Sequence, residues 1–169
     1  LSPAYAVGIW ARYEYDSVKR IKQNPYVLCS QGIEVDFTQA VRIAADLGFD
    51  AENSDRVCAG IIYVLRENSY AGHTCLPKEK LRESVCSNLG VEPRKCNQCL
   101  KDSLDNEWIV SVTIAGKEFI YLPEYYEAEV SISSKLALML KTSARYEKDY
   151  SNEITNISHN HRGGFNVSY

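Results

Sequence analysis

From Pro3 to Leu104 the apolar residues of this chain recur at helical spacing, in short segments each closed by a glycine, a proline or a residue suited to cap the next one. A chain punctuated in this way has no room for long rods or a large sheet. The one sustained change of period comes late: Trp108 to Ile114 is rich in β-branched residues, Ala115-Gly116 supplies a turn, and Phe119 to Leu122 completes a hairpin.

The local signals predict the elements in order. Ser2-Pro3 starts a helix from about Pro3 to Tyr13, with Ala6, Val7, Trp10 and Tyr13 at the spacing of one face. Asp16 is placed to cap a second short helix carrying Val18 and Ile21, which Asn24-Pro25 ends, and Pro25 opens a further turn through Leu28. After Ser30-Gln31-Gly32, Asp36 precedes a helix with Phe37, Ala40, Ile43, Ala44 and Leu47 on one face and Gly48 as its stop. Ser54 opens a helix to about Tyr70, with Val57, Ile61, Val64 and Leu65 inward. Cys75-Leu76 is extended, Pro77 to Leu89 is helical, and Glu92-Pro93 starts a helix bearing Cys96, Leu100 and Leu104. Pro123 starts the last helix, with Glu124, Glu127 and Glu129 near its positive end and Ile132, Leu136, Met139 and Leu140 as its apolar side. From Ser143 the apolar period fades into a tail of Ser, Asn and His with a Gly163-Gly164 pair.

At 169 residues and 45% apolar content the chain can bury a core, so disorder is not its default. No stretch reaches the roughly 20 apolar residues of a membrane span, so no membrane partner is expected and a cytoplasmic setting is the simplest reading. A net charge of −3 argues against a surface that grips nucleic acid by bulk charge, which makes any DNA contact local and modest. The six cysteines read as reduced thiols, because a core of this size needs no covalent staples. The start at Leu1 and the polar tail give the chain the look of a piece of something longer.

Several segments together resemble the region that precedes the motor core in RecD-like DNA helicases. They are Asn24-Pro25-Tyr26, the run from Ile33 to Gly48, Ala59-Gly60-Ile61-Ile62-Tyr63, Gly72 to Pro77, and Tyr121-Leu122-Pro123 followed by Glu129. The resemblance covers nearly all of residues 1 to 142, and its specificity lies in the ordered set. It implies a mainly α fold: a tandem helix-hairpin-helix over 1–50, a winged-helix-like unit with a small β-hairpin over 51–142, and a linker or tail over 143–169 toward the motor. The order helix, short strand, helix, helix, hairpin is itself that of a winged helix.

In that family the motor is an ATP-dependent 5′ to 3′ DNA helicase, and ATP and Mg²⁺ belong to it. A Gly-rich phosphate loop ending in Lys-Ser or Lys-Thr is not found in this chain, and Gly163-Gly164 is not followed by lysine. The sequence therefore implies no cofactor and no catalytic residue in this region. The expected role is non-catalytic handling of single-stranded DNA in repair or recombination, weakly, with intramolecular contact to the motor. The alternative is a protein-interaction or scaffold module with little DNA binding of its own.

A DNA-binding hairpin works because glycines let backbone amides approach a phosphate at a helix N-terminus. The resemblance places Glu34, Val35 and Asp36 where the second hairpin would carry a Gly-hydrophobic-Gly triplet, so this hairpin is degenerate and Asp36 is expected to survive as a helix cap. The first hairpin is better kept, since Leu1-Ser2-Pro3 resembles its end. DNA contact is expected at Ser2 and the basic run Arg12, Lys19, Arg20 and Lys22. Arg94, Lys95 and Lys101 form a second candidate edge on the helix that a winged fold would use for recognition, although a solvated face is the commoner origin of such charges. Lys117 at the hairpin tip is open to the same two readings.

Cys96-Asn97-Gln98-Cys99 has the spacing of a zinc or redox pair, with His73, Cys75 and Cys86 as conceivable companions. Without a second matching pair, a core role for these thiols is favoured and no metal is expected. Of the twelve tyrosines, Tyr125 and Tyr126 are the expected surface candidates for stacking on bases, whereas Tyr5, Tyr13, Tyr26, Tyr63 and Tyr121 fall at core positions. His159 and His161 imply no site.

Overall fold

A computed structural model describes residues 2–30 and 32–143; the tail beyond Ser143, with His159, His161 and Gly163-Gly164, lies outside the described residues. Helix α1 (Pro3–Tyr13) and α2 (Ser17–Gln23) are joined by a single 3₁₀ turn, Glu14–Asp16. A 3₁₀ segment, Pro25–Cys29, then leads through a tight turn to α3 (Phe37–Asp46). There follow α4 (Ser54–Tyr70), β1 (Cys75–Pro77), α5 (Lys78–Leu89), α6 (Pro93–Asp105), β2 (Val110–Ile114), β3 (Lys117–Tyr121) and α7 (Pro123–Ser143). The fold is mainly helical with one small antiparallel sheet, in the order β1-β3-β2.

The caps explain where these helices start. Asn24 accepts the Tyr26 amide at 2.9 Å ahead of the 3₁₀ segment, and Asn53 accepts the Asp55 amide at 2.7 Å ahead of α4, which opens at Ser54 as the sequence suggested. Gly90 ends α5 in the left-handed conformation, at φ +67°. Asp16 differs from its expected role: its side chain caps nothing, because the 3₁₀ turn delivers it already in helical backbone, and Ser17 Oγ bonds back to the Glu14 carbonyl at 2.5 Å.

Chain contacts divide the protein into one compact unit reaching Ala128 and a second from Glu129 onward. In the first, a main core gathers Tyr26 and Phe37, Ala40 and Ala44 of α3, Val57, Ile61 and Val64 of α4, Leu81 and Val85 of α5, Leu100 of α6 and Ile120 of β3. Alanines on α3 let it lie close, and Phe37 stacks on Tyr63 at 5.1 Å between ring centroids. The sheet closes in register, with Leu76 and Ser111 flanking Ile120 on either side. Lys78 of α5 reaches Glu118 of β3 at 2.8 Å, and Ser111 Oγ donates to the same carboxylate at 2.7 Å. These two bonds hold the Glu118 carboxyl below its usual range.

A smaller cluster, Ile9, Leu28, Ile33 and Val35, with Tyr5 and Tyr13 beside it, fastens α1 to the turn before α3. The inward stripe of α1 is therefore Tyr5, Ile9 and Tyr13, not the predicted set, and Val7 and Trp10 face solvent. Gly8 sets this rotation. A Cβ at position 8 would stand 2.6 Å from the Gly32 carbonyl oxygen, so only glycine lets the helix backbone touch the turn. On α7, Ile132, Leu136 and Met139 are likewise exposed.

The expected result of Gly8→Ala is a loss of stability. Alanine gains about 1 kcal/mol of helix propensity, but overpacking against backbone costs roughly 1–3 kcal/mol and has no flexible neighbour to absorb it. Thermal unfolding should show a fall of several degrees; an unchanged or raised midpoint contradicts the close approach.

Candidate nucleic-acid interface

The hairpin before α3 keeps its turn, with Gly32 at φ +86°, although acids stand at 34 and 36 where glycines were expected. The Ile33 and Glu34 amides donate to the Ser30 carbonyl at 3.1 and 3.0 Å, and the Val35 amide returns to Leu28 at 3.0 Å. Glu34 sits at φ +56°, a left-handed conformation that costs a non-glycine residue roughly 1–2 kcal/mol. The backbone thus retains the geometry of a glycine where the residue is an acid.

Two residues on, Asp36 is extended at φ −54° and caps α3. Its Oδ1 accepts the Thr38 amide at 2.8 Å and the Gln39 amide at 3.3 Å, and the Thr38 hydroxyl donates to the same oxygen. The Thr38 hydroxyl first, then these amides, pull the Asp36 carboxyl below its usual range. The donors that a phosphate would use at this helix start are already bound to a carboxylate of the chain itself.

The surroundings reinforce that. A cleft of about 360 Å³ beside the hairpin is lined by Glu34, Asp36, Glu67 and Glu124, with Arg66 as its cation. A second, of about 480 Å³, has Asp55, Glu107, Glu124 and Glu127 against Arg12 and Arg66. Cys29 lines both, and burial pushes its thiol up to about 11. Neither cleft suits a polyanion.

The start of α1 is different. Ser2, a neutral cap, accepts the Ala4 amide at 3.3 Å, and no carboxylate lies in the first turn. Past the far end of this helix, Lys19, Arg20 and Lys22 of α2 are exposed, and among the described residues none of the three is ion-paired. Arg12 is exposed in the last turn of α1, its guanidinium 5.9 Å from the Tyr13 ring centroid. Residues 1–30 hold four cations and only two carboxylates, Glu14 and Asp16, in a chain whose total is negative.

On α6, Arg94 and Lys101 are exposed two turns apart, while Lys95 is half-buried. Lys117 is exposed at the hairpin tip, where Ala115 and Gly116 take φ +50° and +77°. Cys96 and Cys99 lie on the inner side of α6, in the core, where the Cys99 thiol donates to the Ser54 carbonyl at 3.7 Å. Burial raises the thiols of Cys58 and Cys96 to about 12. Among the described residues no three His, Cys, Asp or Glu side chains are placed to share a metal ion, and His73 is exposed.

The tyrosines distribute otherwise than expected. Tyr125 is half-buried and donates to Ser69 Oγ at 2.9 Å, and Tyr126 packs edge-on to Tyr121 at 5.8 Å. Among the described residues Tyr15 and Tyr70 are the exposed tyrosines, while Tyr5, Tyr13, Tyr26, Tyr63 and Tyr121 are buried or half-buried as expected, and Trp10 is exposed because Gly8 turns α1. The sequence placed Trp10 on the apolar face of α1 and gave no signal at Tyr15; Gly8 at the middle of an apolar helix was the signal for the rotation.

A short helix, a tight turn and a second helix whose amides are held at the turn define a helix-hairpin-helix module. Residues 1–75 match the family model described as the ATP-dependent RecD2 DNA helicase HHH domain, and this similarity supports an N-terminal helix-hairpin-helix region like that of RecD2-like helicases. The match ends where β1 begins. The chain thus carries a helicase-associated accessory region of a DNA-binding kind. Among the described residues no helix is long and apolar enough to cross a membrane.

Two substitutions test the reading of the hairpin. Glu34→Gly should relieve backbone strain and raise stability by up to about 1 kcal/mol. Asp36→Ala should lower it by about 1 kcal/mol through loss of the cap. The Asp36 contribution is present at neutral pH and disappears as pH falls through its lowered carboxyl range, so the two proteins should converge in acid unfolding. The double change Glu34→Gly with Asp36→Gly should tighten binding to single-stranded DNA; unaltered affinity contradicts the account.

Proposed function

We propose that this chain is a non-catalytic accessory region that guides single-stranded DNA toward the motor of a RecD-like helicase in repair or recombination. The observation that carries this is the partition of charge: Asp36 occupies the donors at the second hairpin, while Ser2 starts α1 without a carboxylate and Arg12, Lys19, Arg20 and Lys22 are exposed on α1 and α2. The strand contacts these residues through its phosphates, without reading sequence.

Residues 51–142 act as a winged-helix-like unit. The order α4-β1-α5-α6-β2-β3 and the sheet order β1-β3-β2 support that reading. In it, α6 offers Arg94, Lys95 and Lys101 as a second, weaker phosphate edge, with Lys117 at the wing tip. Residues 1–50 and 51–142 are functional regions rather than separate packed bodies, since Tyr26 and Phe37 share a core with Val57 and Leu81. The motor of such a helicase docks against this region and supplies the ATP and Mg²⁺ chemistry, in a cytoplasmic setting.

The acid-lined clefts favour a second reading, in which the region docks a basic partner surface or the motor lobes and touches DNA little. Fluorescence anisotropy of labelled oligothymidylate across a salt series separates the two. Strand guidance predicts weak binding whose logarithm falls linearly with that of salt, at a slope of roughly −2 to −3, which Lys19→Ala with Lys22→Ala makes shallower by about one. Absence of binding at low salt leaves docking alone.

A further inference from the structure

Trp10 and Tyr15 have no role in the core and none in the phosphate contacts. Tyr15 is 90% exposed and Trp10 52%, yet their rings are ordered against one another, 5.1 Å apart at 77°. In such an edge-to-face arrangement only one of the four ring faces is covered by the partner ring. Tyr15, almost wholly exposed, and the uncovered half of Trp10 leave ring surface for a flat apolar ligand.

The neighbourhood says what kind. Lys19 follows Tyr15 by four residues along the nearly continuous helical segment 14–23, and Lys22 follows the exposed Val18 by four, so each exposed apolar group has a cation about one helical turn further on. Glu14 and Asp16 flank Tyr15 in the chain and keep a phosphate off its immediate surroundings. A ligand suited to this patch is planar and apolar at the aromatic pair and anionic about one helical turn away. A protein partner with a plain apolar surface would leave the lysines unmatched, and a duplex presents its phosphates outward with its ring faces hidden.

We propose that Trp10 and Tyr15 form a stacking platform for unpaired nucleobases, with Lys19 and Lys22 holding the phosphates of the same strand. The inference rests on the strand-guiding reading above and adds where the bases go. It also gives the region a physical basis for preferring single strands, which phosphate contacts alone do not supply, because an aromatic ring can stack only on a base whose face is free. Sequence preference is not expected.

The test uses the chain with Trp108→Phe, so that Trp10 is the only tryptophan. It is titrated with an oligothymidylate, with a strand of equal length carrying abasic sites, and with a blunt duplex. Trp10 emission and the anisotropy of the labelled strand are both followed. The oligothymidylate should quench Trp10 with the same midpoint as the anisotropy and bind at least about five-fold more tightly than the abasic strand. Trp10→Ala with Tyr15→Ala, read by anisotropy alone, should erase that preference and leave abasic affinity unchanged. Binding without quenching, without preference over the abasic strand, or with equal quenching by the duplex overturns the platform and leaves strand guidance standing. No binding of any strand at low salt overturns both.

Discussion

Gly8 and Gly32 touch through their backbones, and much of the amino-terminal part follows from that contact. A helix that approaches a turn this closely has one allowed rotation, because any side chain at the contact point strikes a carbonyl oxygen. With Gly8 inward, Ile9 enters the small cluster with Leu28, Ile33 and Val35, and Tyr5 and Tyr13 close its edges. The same rotation sends Val7 and Trp10 outward. The hairpin is thus held from one side by α1 and from the other by Phe37, anchored on Tyr63.

This packing explains how the second hairpin persists with acids at 34 and 36. Its shape depends on Gly32, kept in the turn at φ +86°, on the bonds from residues 33–35 to Ser30 and Leu28 and on the apolar contacts of Ile33 and Val35, none of which needs a glycine at 34 or 36. Glu34 bears the conformational strain instead. A phosphate-binding turn needs more than shape, however: it needs donors left vacant and a neutral or positive surrounding. Asp36 occupies the donors, and Glu34, Glu67 and Glu124 make the adjoining cleft acidic. The element has kept its fold while its anion site has been filled from within, and the exposed cations Lys19, Arg20 and Lys22 are carried by α2.

Much of this was legible in the residues. Capping signals such as Ser2-Pro3, Asn24-Pro25, Asp36 and Gly90 act over two or three residues, and the helices begin and end there to within a residue or two. The stripes of α4, α5 and α6 were readable because each meets the core along one broad face. Helix α1 was not, because a small residue decided its rotation and hydrophobicity alone favoured Trp10 over Ile9. Asp16 failed as a cap for want of an extended residue before the helix, and the exposure of Tyr15 against the half-burial of Tyr125 and Tyr126 depends on packing between distant segments. The sequence placed acids at the hairpin, but the positive φ of Glu34 and the engagement of Thr38 and Gln39 by Asp36 are facts of geometry.

The central claim is that DNA follows the α1 and α2 surface and avoids the second hairpin. Amide chemical-shift mapping of the ¹⁵N-labelled chain during titration with an oligothymidylate tests this residue by residue. The account predicts shifts at Ala4, Trp10, Tyr15, Lys19 and Lys22, with Glu34, Thr38 and Gln39 unmoved. Shifts centred on Glu34 to Gln39, with the α2 amides silent, would contradict it.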